Sequence, residues 1–319
     1  MKRLTLLFIL LISVFASAQK KPEDFGYTHK TYQYKNTTVD VLIGSKPGEE
    51  NIKKPLFFLC QGSLPMPLIK YDEQGLYNVF PFKDELLFDN YHLVIVGKPG
   101  IPVMAKIKDL TKFMYMENGK FPAVYTANNL PDYYTERNNY ILKQLLKEDF
   151  ADGNKLVVAG HSEGSHVAAR MAASNKKITH LIYSSGNPYG RIASIVERDR
   201  HSDQDMMGYW KDVVANKDDM NGDASDTNKA TYDFSIPTAP LLLKLTIPVM
   251  VVYGLKDWSA PHNDLLQIEA IRNKKTNFTF KAYPGLEHNF YPVDEKLNPD
   301  YNVYNWDNVG TEWANWLKS

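Results

Sequence analysis

Six short apolar runs recur along the chain: Leu56 to Cys60, His92 to Val96, Leu156 to Ala159, His180 to Ser184, Ile247 to Tyr253 and Phe278 to Ala282. Their length and their β-branched or aromatic content predict strands, and their lack of alternation predicts strands covered on both faces. Earlier in the chain, alternation in Thr31 to Tyr34 and Val39 to Ile43 predicts two antiparallel strands at a sheet edge, with Lys46-Pro47-Gly48 as a turn. Helix-period segments lie between and after the runs, at Asp132 to Leu146, Ser165 to Ala173, His262 to Ile271 and Asn305 to Leu317. Strands alternating with helices predict a right-handed, mostly parallel α/β sheet in a single domain.

Two stretches break the alternation. Lys98 to Leu130 carries Met104, Phe113, Met114, Tyr115, Met116, Phe121 and Tyr125 on an irregular background. Asn187 to Leu245 holds Met206, Met207, Tyr209 and Trp210, a polar stretch, then Pro237 and Pro240. Both are expected as insertions at the carboxyl edge of the sheet, the second, about residues 187 to 245, as a cap. Long loops in a compact domain are usually functional or disordered. Their aromatic residues read either as pocket walls or as completion of the core.

Composition narrows the partner. The 319 residues hold 37 basic and 37 acidic side chains with no run of like charge, which gives no basis for a nucleic-acid groove or an anionic membrane surface. A small-molecule partner is expected. Met1-Lys2-Arg3, the apolar stretch Leu4 to Phe15 and Ala16-Ser17-Ala18 read as a signal peptide over residues 1–18. The stretch is shorter than the ~20 residues that span a bilayer, so export to the periplasm or the medium without a stable membrane anchor is expected. Cys60 is the single cysteine, so no intramolecular disulfide can form, and a buried free thiol is expected.

The chemistry enters at Gly160-His161-Ser162-Glu163-Gly164, which follows the run Leu156 to Ala159 and opens a helix-compatible stretch. Strand, tight turn, helix is the context of a nucleophile elbow, in which small flanking residues let a serine hydroxyl project from the sheet end. A serine hydroxyl is a poor nucleophile at neutral pH and needs a base and a group to orient that base. Asp257 falls just past one predicted strand and His288 just past the next, at the same sheet edge. Chain order serine, acid, histidine differs from the two other common serine-triad orders. Asp257 also reads as a cap before Ser259-Ala260-Pro261. His92, His161 and His180 lie in or beside strands, and His201 and His262 fall away from a strand end, so His288 is the expected base; His161 is expected to pack under the elbow. The strand His180 to Ser184 is followed by Ser185-Gly186-Asn187-Pro188, with no rival carboxylate.

An oxyanion needs two donors. One expected donor is the backbone N–H of Glu163; the other lies in Gln61-Gly62-Ser63, at Gly62 or Ser63. The Glu163 side chain reads in two ways: a group that binds a substrate amine or pairs with a cap Lys or Arg, or an exposed rim position. No H-E-x-x-H, C-x-x-C or Gly-rich phosphate loop is present, so no metal and no cofactor are expected.

Together these residues resemble the α/β-hydrolase superfamily, in particular exported bacterial serine hydrolases with a G-H-S-E-G elbow and an inserted cap. The resemblance implies an eight-stranded, mostly parallel sheet and acyl transfer to water through a covalent acyl-enzyme. It implies no particular substrate, because esterases, thioesterases, lipases, amidases and peptidases share the scaffold. The expected activity is carboxylic ester hydrolysis by Ser162, His288 and Asp257, falling below about pH 6.5 as the histidine is protonated. One alternative keeps the triad for a short peptide or amide, with Glu163 as its support. Another is a secreted binding protein that retains the fold without chemistry.

Overall fold

The computed structural model describes residues 20–77, 79–200, 202–223 and 225–318. The expected signal peptide, residues 1–18, lies outside them. The first half runs β1 (Tyr27–Tyr34), β2 (Thr37–Gly44), β3 (Lys54–Cys60), β4 (Ile69–Tyr71), β5 (Leu76–Tyr77), α1 (Glu85–Phe88), β6 (His92–Val96), β7 (Met104–Lys106), α2 (Ala123–Asn128) and α3 (Pro131–Leu145). The second half runs β8 (Ala151–His161), α4 (Glu163–Ser174), β9 (His180–Ser184), α5 (Arg191–Arg198), α6 (Met206–Ala215), α7 (Asn228–Phe234), α8 (Ala239–Leu242), β10 (Val249–Gly254), α9 (Ala260–Arg272), β11 (Phe278–Tyr283) and α10 (Trp306–Trp316).

Eight strands form one sheet in the order β1-β2-β6-β3-β8-β9-β10-β11. β1 with β2 and β2 with β6 are antiparallel, and every later pairing is parallel. The continuous apolar runs are explained by cover on both faces. Leu56 and Phe58 of β3 and Leu156 and Val158 of β8 pack with Ile141, Leu142 and Leu145 of α3 and Val167 and Met171 of α4. Their neighbours Phe57, Leu59, Val157 and Ala159 pack on the opposite side with Phe80, Phe82 and Trp313. Withdrawing each large apolar side chain from water contributes about 2 kcal/mol.

The parallel order brings the carboxyl ends of β3, β8, β10 and β11 to one edge, where Gln61, Ser162, Asp257 and His288 follow. The second irregular stretch holds the four helices α5 to α8 between β9 and β10. The first contributes β7 to a small sheet, ordered β5-β4-β7, whose strands were too short for periodicity to reveal. The two stretches touch each other: Phe121 donates its backbone N–H to Asp223 O at 2.8 Å, and Asn129 Nδ2 donates to Asp226 Oδ1 at 2.7 Å.

Candidate active site

The elbow is built by steric necessity. A Cβ on Gly160 would overlap the carbonyl of Gly164, and a Cβ on Gly164 would overlap the carbonyl of Cys60, so only glycine fits at either position. Between them Ser162 takes φ 57° and ψ −127°, backbone that a non-glycine residue adopts only where its surroundings enforce it. Its N–H donates to Ser184 O at 2.9 Å. Ser165 Oγ lies 2.7 Å from both Gly160 O and Ser184 O and accepts the Ser184 N–H at 3.1 Å, tying the turn to β9.

Ser162 Oγ stands 2.9 Å from His288 Nε2, and His288 Nδ1 stands 3.0 Å from Asp257 Oδ2. These are three hydrogen-bonded side chains from three separate loops. Asp257 also accepts the backbone N–H and the hydroxyl of Ser259, each at 2.9 Å; Ser259, not Asp257, is the N-cap of α9, so the aspartate braces the turn before the helix rather than capping it. Burial pushes the Asp257 carboxyl up, but His288 and the Ser259 donors outweigh it and hold the group below its ordinary range. Burial likewise opposes an imidazolium at His288, and the Asp257 carboxylate together with Glu287 more than offsets it, raising this histidine above its ordinary value.

Several neighbours carried no sequence signal. Trp258 stacks on the His288 ring at 5.7 Å between centroids and is 43% exposed, so it flanks the histidine on the solvent side. Glu287 accepts the backbone N–H groups of Asn289 and Tyr291 at 2.8 and 3.0 Å, which fixes the loop that carries His288. His161 packs against His288, Phe290 and Trp306, and burial together with His288 drives it down to about 3, so it is neutral. His92 is tied to Ser45 Oγ and Ile52 O at 2.7 Å each, His262 packs near Tyr189, and His201 lies outside the described residues. Cys60 is free and buried, its thiol pushed up to about 12 by burial.

Glu163 is not a rim residue. Its side chain is 5% exposed and is ion-paired with Arg191, the first residue of α5, and with Lys98 Nζ at 3.8 Å. Arg191 in turn reaches Asp226 Oδ2 at 2.6 Å and lies over the Phe234 ring. As the first residue of α4, Glu163 has a backbone N–H among those that find no acceptor inside the helix. Gly62 borders the serine: a Cβ there would sit 3.7 Å from Ser162 Cβ. Of the aromatic residues in the two irregular stretches, Tyr125 is buried, Trp210 stacks on Tyr232, and Phe113, Met207 and Tyr209 are exposed.

No family model matches the chain, and no curated protein matches its sequence. Solved structures do. The acylaminoacyl peptidase of Pyrococcus horikoshii superposes with a TM-score of 0.54 at 14% identity, over 82% of this chain and 37% of that one. Est1E from Butyrivibrio proteoclasticus, seen with ferulic acid bound, gives 0.57 at 14% identity over 89% and 97% of the two chains. The dipeptidyl peptidase 4 of Porphyromonas gingivalis gives 0.57 at 13% identity over 92% and 35%. The fold is the α/β-hydrolase fold. This chain thus spans little more than a third of the length of the two peptidases and nearly all of Est1E. Within the hydrolase fold, the elbow after β8, the acid after β10 and the histidine after β11 stand at one edge of the sheet.

Proposed function

We propose that this protein is a serine hydrolase that cleaves a carboxylic ester through an acyl-enzyme. The observation that carries the proposal is the continuous hydrogen-bonded line from Asp257 through His288 to Ser162, at 3.0 and 2.9 Å. Ser162 Oγ attacks the ester carbonyl carbon as its proton passes to His288 Nε2. Asp257 keeps the Nδ1 proton in place and stabilises the imidazolium. The backbone N–H of Glu163 and one from Gly62 or Ser63 receive the oxyanion. The intermediate collapses, the C–O bond to the alcohol breaks, and His288 returns its proton to the leaving oxygen. A water molecule, deprotonated by the same nitrogen, then attacks the acyl carbon and releases the acid and Ser162.

Ester is favoured over amide by what Glu163 does. Recognition of a substrate amine would need its carboxylate free, and the carboxylate is instead paired with Arg191 and Lys98. The peptidases of the same fold keep amide cleavage as the second reading. A non-catalytic binding role would leave the histidine-serine hydrogen bond without a use. Initial rates on neutral p-nitrophenyl acyl esters and on aminoacyl p-nitroanilides, with Ser162→Ala as control, separate the readings. Serine-dependent ester cleavage with anilide rates near background supports the proposal; comparable anilide cleavage moves the assignment to a peptidase. We also propose that residues 1–18 direct export and are removed, which an intact-mass measurement on the exported protein tests.

A further inference from the structure

Lys98 is one of the most deeply buried cations among the described residues, with a side chain 3% exposed. It lies two residues past the end of β6 and enters a region lined by the rings of Tyr125 and Tyr134, 5.4 and 5.3 Å from its Nζ. Burying an ammonium costs several kcal/mol even after relaxation. Burial pulls this lysine down to about 7, with Asp226 acting to raise it and Arg191 and Arg137 to lower it. An apolar residue would fill the same space at no such cost, so what Lys98 holds is informative.

Its Nζ donates to the carbonyl oxygen of Ser63 at 2.9 Å and stands 3.8 Å from Glu163 Oε1. The same Ser63 oxygen accepts the hydroxyl of Tyr125, from α2, at 2.7 Å. Tyr125 is 2% exposed. Two donors therefore occupy both lone pairs of one backbone carbonyl. Upstream, Gln61 Nε2 donates to Val96 O at 2.5 Å. The segment Gln61-Gly62-Ser63 is pinned on both sides of Gly62, the residue that borders Ser162. The Lys98 ammonium reaches both the loop half, at Ser63 O, and the elbow half, at Glu163, of the proposed oxyanion site.

We propose that Lys98 and Tyr125 are positioning residues, whose shared grip on Ser63 O fixes the 61–63 loop against the Ser162 elbow and so sets the spacing of the oxyanion donors. This rests on the serine-hydrolase reading. Preorganised donors act only when held within a few tenths of an ångström, and a glycine-centred loop has no stiffness of its own to hold them. Neither residue touches substrate. Loosening the loop weakens stabilisation of the tetrahedral species and leaves ground-state binding as it was.

The test uses Tyr125→Phe and Lys98→Met, singly and combined, assayed on p-nitrophenyl acetate and by inhibition with phenylboronic acid, whose adduct on Ser162 mimics the tetrahedral species. The expected result is a kcat lower by about tenfold for Tyr125→Phe and by about a hundredfold for Lys98→Met, the scale of a small misplacement of reacting groups. KM stays within twofold, boronic acid binding weakens by the same factor as kcat, and the double variant loses less than the product of the singles. Tyr125→Phe removes one hydroxyl and decides the matter alone if Lys98→Met does not fold. A kcat and boronic acid affinity within twofold of the parent in Tyr125→Phe, or a rise in KM at constant kcat, overturns the inference. Activity that persists in Ser162→Ala overturns the underlying reading instead.

Discussion

Arg191, at the start of the four-helix segment between β9 and β10, is ion-paired with Glu163, the residue immediately after Ser162. This ion pair joins the turn that carries Ser162 to the helices between β9 and β10, and it engages the Glu163 carboxylate. Glu163→Gln leaves Lys98 and Arg191 without that carboxylate, although Arg191 keeps Asp226. A stability loss of about 3 kcal/mol in urea unfolding is expected. KM for neutral esters and for substrates with a free amine should change by the same factor; a loss confined to the amines would reinstate Glu163 as an amine-binding group.

The pH dependence follows from His288. Asp257 and Glu287 raise its pKa above the ordinary imidazole value, so the neutral base is lost on acidification at a pH above 6.5, higher than the sequence alone suggests. The plot of log kcat/KM against pH should fall with unit slope below that midpoint. Replacing Asp257 with Asn leaves burial, which opposes the charged ring, without the carboxylate that offsets it. The midpoint should then move down from that of the parent, with Glu287 alone still acting to raise it, and kcat should drop by about four orders of magnitude. An unchanged midpoint in Asp257→Asn would separate Asp257 from His288 in function.

The elbow glycines give a prediction about folding rather than rate. A methyl group at position 164 would meet the carbonyl of Cys60, at the end of the central strand β3, and neither backbone can yield without disturbing the sheet. Gly164→Ala should cost more than about 4 kcal/mol or prevent folding, read from the thermal transition. Native-like melting of that variant would contradict the described turn.

Cys60 should be inert. Burial raises its thiol to about 12, so the reactive thiolate is absent at neutral pH. Iodoacetamide at pH 8 should leave the native protein unmodified and alkylate Cys60 fully in denaturant.

Much of this was legible in the residue pattern because parallel strands covered on both faces leave continuous apolar runs. The β6 and β9 spans match theirs residue for residue, and Gly160, Ser162 and Gly164 announced the turn by composition. Asp257 and His288 were readable because each follows a strand. What escaped detection lacks a local signature. β4, β5 and β7 are two or three residues long, too short for alternation to register. Lys98, Tyr125 and Arg191 meet the site only through tertiary contacts between segments far apart in sequence, and nothing near each of them marks it. Trp258 reaches His288 by a ring contact that nothing in its local sequence marks.

The central claim is that Ser162 is a nucleophile activated by His288. Incubating the folded protein with a fluorophosphonate and mapping the adduct by peptide mass spectrometry tests it most directly. The account predicts one stoichiometric adduct, on Ser162, formed far more slowly in His288→Ala. No adduct, an adduct on another residue, or an equal rate in His288→Ala would contradict it.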